Sequence, residues 1–247
     1  ILFVIINLTD MYPRNNMYIL YTNLPNSNHM KAFLQTQWMS ALLLIISMAL
    51  IFNPILKFPY SFAFIILFVL VATFLQNGNL NSLNFKKLGL KELKIVVIAY
   101  LLMELSIDFL IQPLLNWAFN EPADYSYFKP LEGNIGLYLG WLWKMWLSAA
   151  IGEELLFRGF AFAQLKRIIG DKSPWLIILI SSALFAFPHF YQGWTGVILT
   201  FIIGLGFGLI YWKFKNIWIN ILVHGLIDTV FLTLCYLGYL EFYELVW

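Results

Sequence analysis

Residues 195–212 read TGVILTFIIGLGFGLIYW, eighteen positions without one charged side chain. A helix of that length and apolarity rises about 27 Å at ~1.5 Å per residue and is a candidate to cross the hydrocarbon core of a bilayer. Working outward from it, further apolar runs lie at 36–56, 59–77, 93–119, 134–165, 174–192 and 216–238. The fourth is longer than a crossing needs, so a tilted or broken helix is expected there. Composition agrees: of 247 residues, 61% are apolar, 19% aromatic and only 11% charged. A soluble domain is nearer half apolar and a quarter charged, and it could not bury this much apolar side chain and keep a charged surface. An ordinary cytoplasmic enzyme, a nucleic-acid binder and a disordered chain are excluded. The runs are continuous rather than alternating, which argues against a transmembrane β-barrel. The expected fold is all-α, a polytopic transmembrane bundle of about seven spans, with the lipid bilayer as its solvent.

The breaks between runs carry turn chemistry. Gln76-Asn77-Gly78-Asn79 and Gly170-Asp171-Lys172-Ser173-Pro174 are of this kind, with Pro174 suited to a helix start. No tandem repeat is visible. The chain begins at Ile1, and Met30-Lys31-Ala32 stands just ahead of the first apolar run, so residues 1–29 are expected to be poorly structured or non-native. The expected organisation is then N-terminal transmembrane helices over 30–132, a helical core over 133–238 and a C-terminal tail over 239–247. The single cysteine, Cys235, excludes an internal disulfide and reads as a small apolar residue. Gly204 and Gly208 form a GxxxG and read as a close helix contact. His29, Trp141, Trp143 and Trp146 read as loop and interface residues.

Charges inside apolar runs are costly and mark functional sites. They are Glu104 and Asp108 in the third run, Glu153, Glu154 and Arg158 in the fourth, His189 in the fifth, and His224 and Asp228 in the seventh. Glu154 and Arg158 are four apart, as are Phe185 and His189, and His224 and Asp228, so each pair shares a helix face. From Arg167 back to Glu153 is a rise of about 20 Å, from Pro174 to His189 about 22 Å, and from Asn216 to Asp228 about 18 Å. If all three helices start from one membrane face, these groups meet at a common level. Taken alone, Glu154 with Arg158 reads as a structural ion pair. Glu104 and Asp108 have no cation in their own helix, and a polar groove explains them as well as a site does.

The pattern resembles the CPBP (CAAX protease and bacteriocin-processing) intramembrane protease family, to which the Rce1-like CAAX proteases belong. Glu153-Glu154-Leu155-Leu156-Phe157-Arg158 matches its EExxxR motif, Phe185 to His189 its FxxxH, and His224 to Asp228 its HxxxN or HxxxD. The likeness covers roughly 145–232 and includes Asn216–Asn220. It implies an intramembrane endopeptidase whose substrate is a membrane-associated or lipid-modified peptide or protein. Bacterial members are associated with peptide maturation and bacteriocin self-immunity. The bias toward Asn, Ile, Lys and Phe suggests a bacterial cytoplasmic membrane.

In that reading Glu153 is the general base, since a carboxylate held away from bulk water can take a proton near neutral pH. Glu154 and Arg158 support the site with Phe185. His189 holds the water or passes its proton to the leaving amine, and His224 with Asp228 faces the oxyanion. Ionised Asp228 accepts hydrogen bonds only, so it is protonated, or orients His224, or ligates a metal. No cofactor is favoured; the alternative is zinc held by His189, His224 and Glu153 or Asp228. Two other functions use the same residues: a proton-coupled transporter, and a non-catalytic immunity or scaffold protein.

Basic residues mark the cytoplasmic side. Lys86, Lys87, Lys91 and Lys94 follow the second run, Lys166, Arg167 and Lys172 the fourth, and Lys213 and Lys215 the sixth. The opposite loops hold Glu121, Asp124 and Glu132 with only Lys57 and Lys129. An N-terminus inside and a C-terminus outside follow. Single cysteines at Lys87 and Glu244, in a Cys235→Ala background, should therefore react with an impermeant thiol reagent from opposite sides of sealed vesicles. Reaction from the same side would refute the orientation.

Overall fold

Asn216 shows how a polar residue sets the frame of this bundle. Its side chain accepts from Trp218 N (3.2 Å) and starts the last long helix, while its amide donates to Lys87 O (3.3 Å) across the bundle. The computed structural model describes residues 27–245 apart from residue 172. The expectation for residues 1–29 thus falls outside the described residues up to residue 26, and residues 27–29 open the first helix. The helices are α1 (Ser27–Leu34), α2 (Gln37–Ile51), α3 (Tyr60–Asn77), α4 (Leu90–Ser106), α5 (Gln112–Phe119), α6 (Ile135–Met145), α7 (Phe162–Ile169), α8 (Pro174–Ala186), α9 (Gly193–Phe214) and α10 (Ile217–Tyr236). No strand is present among the described residues.

Local chemistry explains the ends. Thr36 and Asn134 cap α2 and α6 by accepting from Met39 N and Leu137 N, as short polar side chains do for orphan amides. Gly78 ends α3 in the left-handed region at φ 74°, which glycine adopts without a Cβ clash. Pro174 sits in the first turn of α8, where its missing N–H has no partner to lose.

Among the described residues, four helical stretches are long and apolar enough to cross a membrane: Tyr60–Asn77, Leu90–Phe119, Pro174–Phe214 and Ile217–Tyr236. The third of these is a 41-residue run that covers the expected fifth and sixth spans. It turns back at a 3₁₀ segment, Phe187–Gln192, so that α8 and α9 pack against each other. The first expected span is the 15-residue α2. The fourth is a continuous run in which Trp146–Ala161 is π-helical between α6 and α7. A shorter π turn, Ile107–Ile111, joins α4 to α5.

The wide-wound stretch is the centre of the bundle. Twelve of its sixteen residues are buried, which no outer helix approaches. Leu155, Leu156, Phe157 and Phe160 pack in one core with Ile65 and Val69 of α3, Ile178 and Phe185 of α8, and Phe207 of α9. Outward faces of α2 to α4 leave Ile45, Leu67, Ile98 and Leu102 exposed, as helices do when lipid rather than water is the solvent. At one end of the bundle Arg167 donates to Gln76 (3.0 Å) and Asn77 (2.6 Å), and Gln76 donates to Leu34 O (2.8 Å), tying α7, α3 and α1. At the other, Gln112 and Asn116 donate to Tyr243 O at 2.8 and 3.0 Å, so the 240–244 turn is docked on α5.

The GxxxG is the contact between α8 and α9. A Cβ on Gly204 would lie 3.2 Å from the Ser182 Cα, and one on Gly208 would lie 2.9 Å from an Ile178 methyl. Gly208→Val should therefore lower stability by about 1–3 kcal/mol, the usual cost of overpacking. Thermal unfolding of the purified protein reads this, and a variant as stable as the parent would mean that the two helices are not in such contact.

Candidate active site

Residues 153 and 154 are neighbours that point to different places. Successive side chains on a helix project at different angles, so one can face a cavity while the next enters the wall. Glu154 is fully buried and does the latter. Its Oε1 accepts from Arg158 Nη1 at 3.1 Å and from His224 Nδ1 at 2.9 Å, and its Oε2 accepts from Asn220 Nδ2 at 3.1 Å. The pair expected from the four-residue spacing is present, and the carboxylate additionally joins the π-helical stretch to α10.

Arg158 is equally sealed. Its Nη2 donates to Gly204 O at 3.3 Å, and its guanidinium lies over the rings of Phe185 (4.2 Å) and Phe207 (5.1 Å). Ring faces attract a cation, more so when it is desolvated. Phe185 therefore supports the site through the arginine as well as by flanking His189, whose ring centroid is 5.5 Å away. Trp146 rests on the bare backbone of Gly225, where a Cβ would come within 2.5 Å of the ring, and its Nε1 donates to Thr229 at 3.1 Å. Sequence reading placed Trp146 at an interface; it is a packing residue one turn from His224.

On the other side of this wall is a cavity of about 520 Å³. Glu153, His189, His224 and Asp228 all line it, and so do Phe185, Glu104 and Asp108. Glu154 and Arg158 do not. Trp141, also expected at an interface, lines the cavity too. Glu153 makes no side-chain hydrogen bond among the described residues, so its carboxylate is unengaged. His189 sits in the 3₁₀ turn, with Nδ1 3.0 Å from Phe185 O. A carbonyl only accepts, so Nδ1 carries the hydrogen and neutral His189 keeps a lone pair on Nε2. His224 Nδ1 is likewise directed at Glu154, leaving Nε2 on the side of Asp228, 3.8 Å away. That separation is too long for a hydrogen bond, so Glu154 and not Asp228 orients His224. Asp228 Oδ2 is buried without a hydrogen-bond partner.

Asn220 escaped the sequence reading as a site residue. It lies one turn before His224 and bonds both Glu154 and Phe207 O (2.9 Å). Its signal was an amide inside an apolar helix, four residues from a histidine. No group of three or more His, Cys, Asp or Glu side chains is placed to hold a metal ion among the described residues.

Neither a curated protein nor a solved structure matches the chain. Residues 135–230 match the sequence model of a family described as type II CAAX prenyl endopeptidase Rce1-like. That segment spans α6, the π-helical stretch and every residue of the cavity wall from Glu153 to Asp228, so over its helical core the chain is similar to the Rce1-like family.

Proposed function

We propose that this chain is an intramembrane endopeptidase that hydrolyses a peptide bond of a membrane-associated or lipid-modified substrate with a water activated by Glu153. The observation that carries the reading is the convergence, in one cavity, of an unengaged carboxylate and two imidazoles whose Nδ1 atoms are already committed to protein acceptors. The family match supports protease chemistry in general.

The roles follow from which atoms are left over. His189 Nε2 accepts one hydrogen of the water and fixes its orientation. Glu153 takes the other hydrogen, and the hydroxide so formed attacks the scissile carbonyl. Negative charge develops on the carbonyl oxygen. In its doubly protonated form His224 donates from Nε2 to that oxyanion, with Glu154 holding the ring from behind. Asp228, if protonated, adds a second donor. Glu153 then passes its proton to the leaving amine as the C–N bond breaks, which restores the carboxylate. The N-inside, C-outside topology and a bacterial cytoplasmic membrane are part of the same proposal, carried by the lysine distribution and composition.

Glu153→Gln keeps shape but cannot take a proton, so it should abolish cleavage in reconstituted vesicles while inserting and unfolding like the parent. Residual turnover near the parent level would remove Glu153 as the base. Glu154→Gln should behave differently: it leaves Arg158 buried without a counter-charge and confronts Asn220 with an amide. The loss expected is about 3–5 kcal/mol of stability, seen as lower yield and earlier thermal unfolding.

Asp228→Asn separates donor from ligand. The amide donates at any pH, so activity should be kept or raised and should be indifferent to a zinc chelator. Activity that falls in this variant and returns with added zinc would make His189, His224 and a carboxylate metal ligands.

A further inference from the structure

Two carboxylates in the cavity take no part in that chemistry. Glu104 and Asp108 lie one turn apart on α4 and the π turn that follows it, and both face the cavity. Glu104 is only 8% exposed, and neither carboxylate has an ion-pair or side-chain hydrogen-bond partner among the described residues. Gln112, a further turn on, also lines the cavity, but its amide is spent on Tyr243 O. Glu153 and Asp228 line the same cavity. Among the described residues no lysine or arginine lines the cavity, and Arg158, behind the wall, is taken by Glu154.

Much of the remaining lining is aromatic, beside aliphatic residues such as Ile107, Leu199 and Ile203. Tyr125 packs on Phe231 at 5.1 Å and Phe128 on Trp141 at 5.4 Å, and Tyr243 closes the group. A carboxylate taken out of water needs a counter-charge, donors or a proton of its own, and a cation can supply the first where ring faces attract it as well. His224, the cation of the proposed chemistry, is held by Glu154, so Glu104, Asp108 and the rings leave room for a further cation, which no described side chain supplies.

We propose that this cavity recognises a cationic side chain of the substrate, an ammonium or guanidinium seated between Glu104, Asp108 and the aromatic wall. The inference rests on the reading of the cavity as a peptide-cleaving site and names its substrate class: a segment with a lysine or arginine near the bond to be cut.

The test uses the full chain in phosphatidylcholine nanodiscs, whose zwitterionic lipid does not itself collect cations. Acylated octapeptides carry one lysine moved through each position, each paired with a norleucine peptide of the same length. Equilibrium binding is measured without turnover. At one position lysine should bind about tenfold tighter than norleucine, the size expected for a charge-assisted hydrogen bond. In the Glu104→Gln/Asp108→Asn chain that ratio should drop below about twofold. No position favouring lysine, or a preference that survives the double substitution, overturns the proposal. A chain that binds with this preference yet cuts nothing refutes the protease reading and leaves cation recognition standing. Cutting without any lysine preference refutes this proposal alone.

Discussion

Everything around the cavity hangs on one buried carboxylate. Glu154 accepts from an arginine, a histidine and an asparagine, and its partners bring together the π-helical stretch, α9 and α10. A buried ion pair is not a strong source of stability, because the desolvation of both charges offsets most of their attraction. Its consequence is geometric. With the carboxylate fixed, His224 has one orientation, Asn220 one register, and Arg158 one path between Phe185 and Phe207 to Gly204 O. A shift of α10 by one residue would break two of the three hydrogen bonds at once. The glycine contact of α8 with α9 keeps Phe185 close enough to roof the guanidinium.

The wide winding of Trp146–Ala161 belongs to the same constraint. π-helical turns are rare, cost backbone geometry and gather at functional sites. Here the stretch is held by neighbours that would otherwise be in poor contact: Phe62 against Gly152, Leu83 against Gly159 and Trp146 against Gly225. Ser181 donates to Phe157 O at 2.8 Å and satisfies a carbonyl in that stretch from outside. Neighbouring carboxylates can then take opposite surroundings, Glu154 enclosed by donors and Glu153 facing the cavity with none.

Much of this was legible in the residues, and for a physical reason. Hydrocarbon makes every charge conspicuous, so Glu153, Glu154, Arg158, His189, His224 and Asp228 stand out without any knowledge of packing, and the four-residue spacing of Glu154 and Arg158 announces their pair. Pro174, Gly78 and the GxxxG act locally and were readable locally. What was not legible depends on contacts between helices. Nothing in the spacing of His224 and Asp228 shows that Glu154, seventy residues earlier, outcompetes Asp228 for the imidazole. Trp146 and Trp141 look like interfacial aromatics until their neighbours are known. Apolar periodicity could not report the π winding, since a run that is buried nearly all round has no polar face to mark its pitch.

The sealing of Arg158 also decides the character of the cavity. Were that guanidinium to line the cavity, it would neutralise Glu153 or Asp228 and offer a seat for a carboxylate. Enclosed with Glu154 and covered by two rings, its charge is cancelled inside the wall and contributes little beyond it, because the pair is seen from the cavity as a dipole rather than as a cation. The cavity is left with carboxylates, imidazoles and aromatic faces, a surface on which water can be activated and a cation can be held. The interaction that organises the core and the one that selects a ligand are thus linked: the structural ion pair keeps Arg158 out of the cavity, and Glu104 and Asp108 have no lysine or arginine beside them among the described residues.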